Sequence, residues 1–387
     1  MKILVAITED WFALSHFVPL LTELRKLAND VVVVTRSSGR LREIDNLGVR
    51  TRAFDMRRGS LNVAALLKVQ DGLARIIDEE RPDAVHAIGM QTMVMTSLAL
   101  RRTAYRPSAV IMHLTGLGYL GLSPSPVAYV LRALARSAVR RSMRNFNTWL
   151  LAENTDDVAR MIADRVAVRG RTAVVPGAGI DPQYFPEVEP PTNQVPRAAF
   201  VGRMLVSKGV EVLVEAHRQL LARGIKLELA LYGDADPGSR QAISDNTLMG
   251  WNGAAGVKWH GRTNDIVGVW RTADMAVVPA LGGEGMPRAM LEAGACGRPL
   301  VVSDVPGCRQ FVRHGVEGFI VPPGDPAALA NELGRLASNP PLRLQMGAAA
   351  RQRVLQHYTE DMVRAGIRQV YEDAFAAAGT PHTGDSP

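Results

Sequence analysis

The sequence predicts an α/β protein of two Rossmann-like, doubly wound domains facing across a cleft. Its 387 residues exceed what one hydrophobic core usually organises. Short apolar runs alternate with longer amphipathic segments from the first residue onward, the pattern of βα units around a mainly parallel sheet. Pro182, Pro186, Pro190, Pro191 and Pro196 interrupt that alternation, and their fixed φ and missing donors leave neither helix nor central strand over 182–197.

In the first domain, 1–181, strands are expected near 2–7, 31–35, 84–88, 108–113, 148–152 and 172–176, with helices over 16–28, 90–101 and 155–165 between them. Residues 182–197 are expected to be a linker. The alternation restarts in a second domain, 198–357, with strands near 198–202, 226–232, 256–260, 274–279, 299–303 and 317–321. Its helices are expected over 208–223, 264–272, 286–296 and 325–338. Beyond about 340 only helix-period residues remain; those from about 358–378 are expected to pack back on the first domain, and Thr380 to Pro387 to fray. Paired domains of this class place a ligand in their shared cleft, at the carboxyl ends of the strands.

Composition narrows the function. Hydrophobic residues at 47% and charged residues at 21% fit an ordinary globular enzyme, and aromatics at 5% are too few for a protein that stacks bases. Cys296 and Cys308 lack the spacing of a zinc site or redox couple and read as two buried thiols in a reducing compartment. The start, Met1 to Ile7, reads as a buried strand and not a signal peptide. No run reaches the roughly 18 apolar residues of a membrane-spanning helix, so membrane contact is expected to be peripheral.

Two segments carry chemistry. In Gly283-Glu284-Gly285-Met286-Pro287-Arg288, continuing through Glu292 to Pro299, Pro287 suits a first helical turn. The amides around Gly285, Met286 and Arg288 would then point outward at a helix N-terminus and attract a diphosphate. Glu284 before that helix and Glu292 inside it can accept hydrogen bonds from sugar and ribose hydroxyls. The second segment is Phe200-Val201-Gly202-Arg203 through Lys208-Gly209, where a guanidinium and an ammonium can hold one anion and stabilise charge on a departing diphosphate. Taken alone, such a cation pair reads equally as structural or solvated.

On Gly202-Arg203 with Lys208-Gly209, on Glu284 and Glu292, and on the text EGMPRAMLEAGACGRPLVVSDVPG, the chain resembles the family 4 retaining glycosyltransferases of GT-B fold through nearly its whole length. The resemblance implies that Arg203 and Lys208 hold the donor diphosphate, Glu292 the ribose and Glu284 the donor sugar. Arg262 and Ile266, within His260 to Ile266, would lie beside the base. Asp10 to His16, Val85-His86-Ala87 and His113-Leu114-Thr115-Gly116-Leu117-Gly118 are similar to transferases of polysaccharide and lipid-linked glycan assembly. That similarity implies that His113 faces the donor sugar or the reacting centre, with His16, His86, Thr115 and Gly116 on the acceptor side. The first domain would be the acceptor side and the second the nucleotide-sugar binder. The implied donor is a nucleotide sugar, a UDP-sugar by family resemblance; the transferred group is a hexosyl or N-acetylhexosaminyl unit. The implied acceptor is a lipid-linked glycan at the inner face of the plasma membrane; no metal, cofactor or nucleic-acid partner is implied. Leu14 and Ser15 stand where many relatives carry paired glycines, and Gln310 where a glutamate is common.

Between Asp83 and Glu153 there is no acidic residue, yet Arg101, Arg102, Arg106, Arg132, Arg136, Arg140, Arg141 and Arg144 fall there, more charge than the net +7 of the chain. Arg132, Arg136, Arg140 and Arg144 form a four-residue stripe on an amphipathic helix over 126–144. Like charges at that spacing repel, so the stripe reads as a solvated face or as a dock for anionic lipid. Outside this family reading, the residues also allow a sugar-nucleotide epimerase or phosphorylase, or a non-catalytic binding module. A dinucleotide dehydrogenase is disfavoured because the first strand leads into Thr8-Glu9-Asp10-Trp11 and not a GxGxxG turn.

Overall fold

The computed structural model describes residues 1–56, 63–116, 125–236, 238–239, 241–252 and 256–379. Leu117 and Gly118, like the tail Thr380 to Pro387 expected to fray, lie outside them. The chain divides into two compact units, one of Met1–Ala178 with the segment from Glu360 onward, the other of Gly179–Thr359.

The first unit is built on seven strands: β1 Lys2–Glu9, β2 Asp30–Arg36, β3 Arg50–Ala53, β4 Ala84–Ile88, β5 Ala109–Leu114, β6 Thr148–Ala152 and β7 Thr172–Val174. They form one parallel sheet in the order β3-β2-β1-β4-β5-β6-β7. The near-continuous apolar run of β1 follows from its place, since a central parallel strand is covered on both faces. Ile3, Val5 and Ile7 enter the core on one face, and Leu4 and Ala6 the core on the other. The short edge strand β3, Arg-Thr-Arg-Ala, has no apolar alternation and escapes the sequence reading; its arginines discourage edge-to-edge pairing.

The last helix, Glu360–Gly379, closes the first core. Val363, Ile367, Val370, Tyr371 and Ala374 repeat at helical spacing and pack among Ile3, Val5 and Ile7. Asn147 Nδ2 donates to the Ala374 carbonyl at 2.7 Å, and the Arg368 guanidinium engages the buried Glu23.

The second unit carries β8 Arg197–Val201, β9 Glu228–Tyr232, β10 Val257–Trp259, β11 Met275–Val278, β12 Leu300–Ser303 and β13 Gly318–Val321. Their order is β10-β9-β8-β11-β12-β13, again all parallel. Between them run the helices Val210–Ala222, Asp245–Asn252, Ile266–Thr272, Arg288–Ala295 and Pro306–Phe311, followed by Pro326–Ala337 and Pro340–His357. The proline-rich stretch is not a free connector. Phe185 and Val188 are buried in the second core, and the buried Arg298 guanidinium donates to the Val188 and Glu189 carbonyls at 2.8 and 2.7 Å. Two apolar anchors among the prolines make the segment part of this unit.

Leu4 is 0% exposed in the central strand. Leu4→Ala should lower unfolding free energy by about 2–5 kcal/mol, read by urea denaturation; a loss under about 1 kcal/mol would contradict the two-faced core.

Candidate functional site

In each sheet the strand order reverses once, between β1 and β4 in the first and between β8 and β11 in the second. Such switch points open a crevice outside the carboxyl ends of the strands.

In the second unit the loops after β8 and β11 meet at that point. Gly209 has φ +73°, and a Cβ there would lie 1.9 Å from the Pro279 carbonyl oxygen, so only glycine fits. The Leu281 amide also donates to the Ser207 carbonyl at 2.8 Å. This contact sets Lys208 opposite the β11 loop, and its Nζ lies 2.7 Å from Glu284 Oε2 with both side chains about one-fifth exposed. Arg203, on the same loop as Lys208, is held differently: its Nη1 lies 2.8 Å from Asp236 Oδ2, which follows β9. Buried Met204 and Leu205 anchor the loop between the two cations.

The β11 loop turns through Gly282 and Gly283, both at positive φ. Gly285 is buried, and its carbonyl lies where a Cβ on Gly307 would come within 1.9 Å, so the loop after β12 packs tightly behind it. Pro287 caps the helix Arg288–Ala295 one residue before its expected place, with no side-chain cap bond to its amides. Met286 points into the core, leaving its backbone alone for any ligand. Glu292 is 7% exposed, and burial pushes its carboxyl above the ordinary range against the pull of Arg288, whose Nε donates to it at 2.9 Å. The His260 ring stacks on Tyr232 at 4.5 Å and 8°. Arg262 is exposed two residues later, and Ile266 packs half-buried at the start of its helix, which the Asp265 carboxylate caps through the Gly268 amide at 2.8 Å.

In the first unit β1 runs straight into the helix Asp10–His16. Asp10 is 0% exposed and accepts from the amides of Trp11, Ser38 and Arg40 at 2.7, 2.7 and 3.0 Å and from the Ser38 hydroxyl at 2.5 Å. Burial raises its pKa, but these bonds outweigh it and hold the carboxyl below the usual range. His16 is half-buried, its Nδ1 2.7 Å from Ser15 Oγ. His113, next to the last residue of β5, is 2% exposed and 5.5 Å edge-on to Phe17. Its Nδ1 is 3.2 Å from His86 Nε2, and its Nε2 is buried with no hydrogen-bond partner among the described residues. Burial drives His113 down to about 3; burial, then the neighbouring His113, drive His86 well below its ordinary value. Thr115 is half-buried and Gly116 buried just beyond β5.

A family model described as Glycosyl transferases group 1 matches residues 195–339, and one described as Glycosyl transferase 4-like domain matches residues 15–178. The chain belongs to the GT4-like, group 1 glycosyltransferases. A Campylobacter jejuni relative, N,N'-diacetylbacillosaminyl-diphospho-undecaprenol alpha-1,3-N-acetylgalactosaminyltransferase, is 24% identical over 92% of this glycosyltransferase and 95% of its own length. Among solved structures, Thermosynechococcus elongatus sucrose-phosphate synthase aligns with a TM-score of 0.79 at 20% identity, covering 97% of this chain and 100% of that one. Anabaena HepE in complex with UDP and glucose aligns with a TM-score of 0.76 at 18% identity, covering 96% and 99%. The fold of the glycosyltransferase is therefore GT-B. Of the readings the residues left open, glycosyl transfer is the one its family carries.

In this glycosyltransferase, Gly202, Arg203, Lys208, Glu284, Gly285, Pro287, Arg288 and Glu292 gather at the carboxyl edge of the second sheet. His16, His113, Thr115 and Gly116 lie at that edge of the first. His86 does not fit the expectation of acceptor contact, because it is 0% exposed and lies between His113 and Tyr371. The arginine stripe is also corrected. Arg136 pairs with Asp164 at 3.3 Å, and Arg140 donates to the Arg165 and Asp164 carbonyls at 2.7 Å each. On the helix Pro126–Asn145 the outward positions are instead Val127, Val130, Leu134, Arg141 and Arg144, with Tyr129 beside them. Asp236 and Tyr371 were not legible as site residues: each contacts a partner tens of residues or more away, without a local motif.

The folded value of about 3 for His113 lies below the ordinary 6.5, so on acidification the unfolded chain takes up the proton first. Stability from His113 is present above about pH 6.5 and is lost as pH falls below it, by about 1.4 kcal/mol between pH 7.5 and 5.5. Denaturant melts of the glycosyltransferase should lose about this much more than those of His113→Asn; equal losses would contradict the buried neutral imidazole.

Proposed function

We propose that the enzyme transfers a sugar, with retention, from a UDP-sugar to a lipid-linked glycan presented at a membrane surface. The observation that carries the donor half is the junction of the β8 and β11 loops, which sets Lys208 against Glu284 at a strand-order switch. A diphosphate arriving there meets Lys208 and Arg203, together with the amides from Gly285 to Arg288. The two cations stabilise negative charge on the leaving diphosphate, and no proton transfer is needed for that role. Displaced from Lys208, the Glu284 carboxylate is free to accept hydrogen bonds from donor-sugar hydroxyls. Glu292 accepts from the ribose. His113 faces the reacting centre, and the leaving phosphate assists loss of the acceptor hydroxyl proton. No metal takes part in this scheme. The UDP preference is supported by Anabaena HepE, whose structure holds UDP and glucose in the same fold.

The acceptor half is supported by the Campylobacter relative, whose name specifies an undecaprenol-diphosphate-linked acceptor. Among the described residues no helix is long and apolar enough to cross a membrane. Val127, Tyr129, Val130 and Leu134 are 61, 69, 55 and 61% exposed on one helix, with Arg141 and Arg144 following on the same outward side. Such a face docks peripherally, its apolar end in the interface and its arginines on anionic headgroups at about 1 kcal/mol per charge. Arg144 remains from the original stripe as a contributor, at the inner face of the plasma membrane.

Glu292→Gln should weaken UDP-sugar binding about 10–100-fold by calorimetry, the loss of hydrogen bonds to a charged acceptor; an unchanged affinity would exclude the ribose role. Product analysis should show a retained anomeric configuration. For the membrane face, Arg141→Gln with Arg144→Gln should reduce sedimentation with anionic vesicles about 10–30-fold and leave nucleotide affinity unaltered. Equal vesicle binding by the variant and the parent would remove the dock.

A further inference from the structure

We infer that Tyr371 and His86 are positioning residues that hold the His113 imidazole with its proton on Nε2, as a neutral hydrogen-bond donor at the carboxyl edge of the first sheet. The inference rests on the proposed site in so far as His113 meets substrate there, but the proton placement stands on the chain's own geometry.

The three side chains form one line of hydrogen bonds. Tyr371 Oη lies 3.0 Å from His86 Nδ1, and His86 Nε2 lies 3.2 Å from His113 Nδ1. They are 2, 0 and 2% exposed, so all three are shielded from bulk solvent. Each neutral imidazole carries one N–H, and the line can run in only two directions. In one, the Tyr371 hydroxyl donates to His86 Nδ1, His86 Nε2–H donates to His113 Nδ1, and His113 keeps its hydrogen on Nε2. In the other, His113 Nδ1–H donates to His86 and His86 Nδ1–H to Tyr371. Among the described residues Tyr371 has no hydrogen-bond partner except His86, so the second direction strands the buried hydroxyl hydrogen as well as the His113 Nε2 lone pair. Both directions leave the His113 Nε2 atom unpaired, but the second also strands a buried donor hydrogen on the hydroxyl, whereas the first leaves unfilled only the weakly accepting phenol lone pairs, the less costly omission.

The register says where that hydrogen is spent. His86 pairs with Ile111 and Ile88 with His113, so His86 sits one pleat behind His113, toward the amino ends of the strands. The His113 Nδ1 faces back to it. Nε2, without a partner among the described residues, is left for the carboxyl edge, where the Phe17 ring walls one side. A donor of this kind serves an electronegative substrate oxygen, a sugar hydroxyl or a phosphoryl oxygen, and it cannot act as a base through Nε2. Tyr371 reaches the line from the helix Glu360–Gly379, so a residue far from β5 in sequence sets the chemistry of that strand's end.

The test is nitrogen NMR of the histidine side chains in the full chain, with no substrate present. The parent should show His113 protonated on Nε2. Tyr371→Phe, which keeps the ring and removes only the hydroxyl, should redistribute the His86 and His113 tautomers and lower kcat about tenfold while leaving donor KM within about twofold. His86→Gln, which keeps one acceptor and one donor, should retain the Nε2–H form. A parent with His113 protonated on Nδ1, or a Tyr371→Phe variant whose tautomers and kcat both match the parent, would overturn the inference. A parent that shows the Nε2–H form yet consumes no UDP-sugar supports the proton placement and counts against the transfer reading instead.

Discussion

The second unit's site depends on one backbone contact. The Pro279 carbonyl occupies the space that a side chain on residue 209 would need, and the loops after β8 and β11 close on each other only because that side chain is absent. From this follow the direction of Lys208, its pairing with Glu284, and the course of the chain through Gly282 and Gly283 into the helix that carries Glu292. The contact costs no side-chain packing, since Val210 next to it is fully buried and holds the helix start in the core. The same device recurs where Gly307 backs against Gly285, so two glycines on separate loops define the floor of one crevice.

Both cations of that crevice are already satisfied, Lys208 by Glu284 and Arg203 by Asp236. The more exposed Arg203–Asp236 pair is worth little in isolation, while Lys208–Glu284 is about four-fifths covered. The two pairs hold the cations beside the loops that form the crevice. In the proposed donor mode, an incoming dianion would exchange one carboxylate partner for a better one, and the released carboxylates would stand beside the hydroxyls of the same ligand.

Much of the architecture was legible because burial on both faces writes long apolar runs, as in Ile3 to Ile7 and Leu300 to Val302. What failed to show was short, polar or distant. β3 is an edge strand whose arginines carry no apolar period, and the helix Asp10–His16 begins where a strand ends without a breaking residue. The prolines of 182–197 signalled irregular chain correctly, but Phe185 and Val188 among them fixed it to the second core. At the site, Arg203, Lys208, Glu284 and Glu292 stand on recognisable local text, whereas Asp236 reaches Arg203 across 33 residues and Tyr371 reaches His86 across 285. No spacing rule reports such pairs. The arginine stripe misled for a related reason: helical periodicity finds the row of like charges but not the carbonyls of Asp164 and Arg165 that turn part of it inward.

The return of the helix Glu360–Gly379 to the first core has a consequence for biogenesis. Ile367, Tyr371 and Ala374 fill space beside Ile3, Val5 and Ile7, so the amino-terminal unit waits for a segment translated after the entire second unit. Vectorial synthesis ordinarily lets an amino-terminal domain finish first. Here the nascent first unit leaves the ribosome with an open apolar flank, and it matures only when the end of the chain arrives.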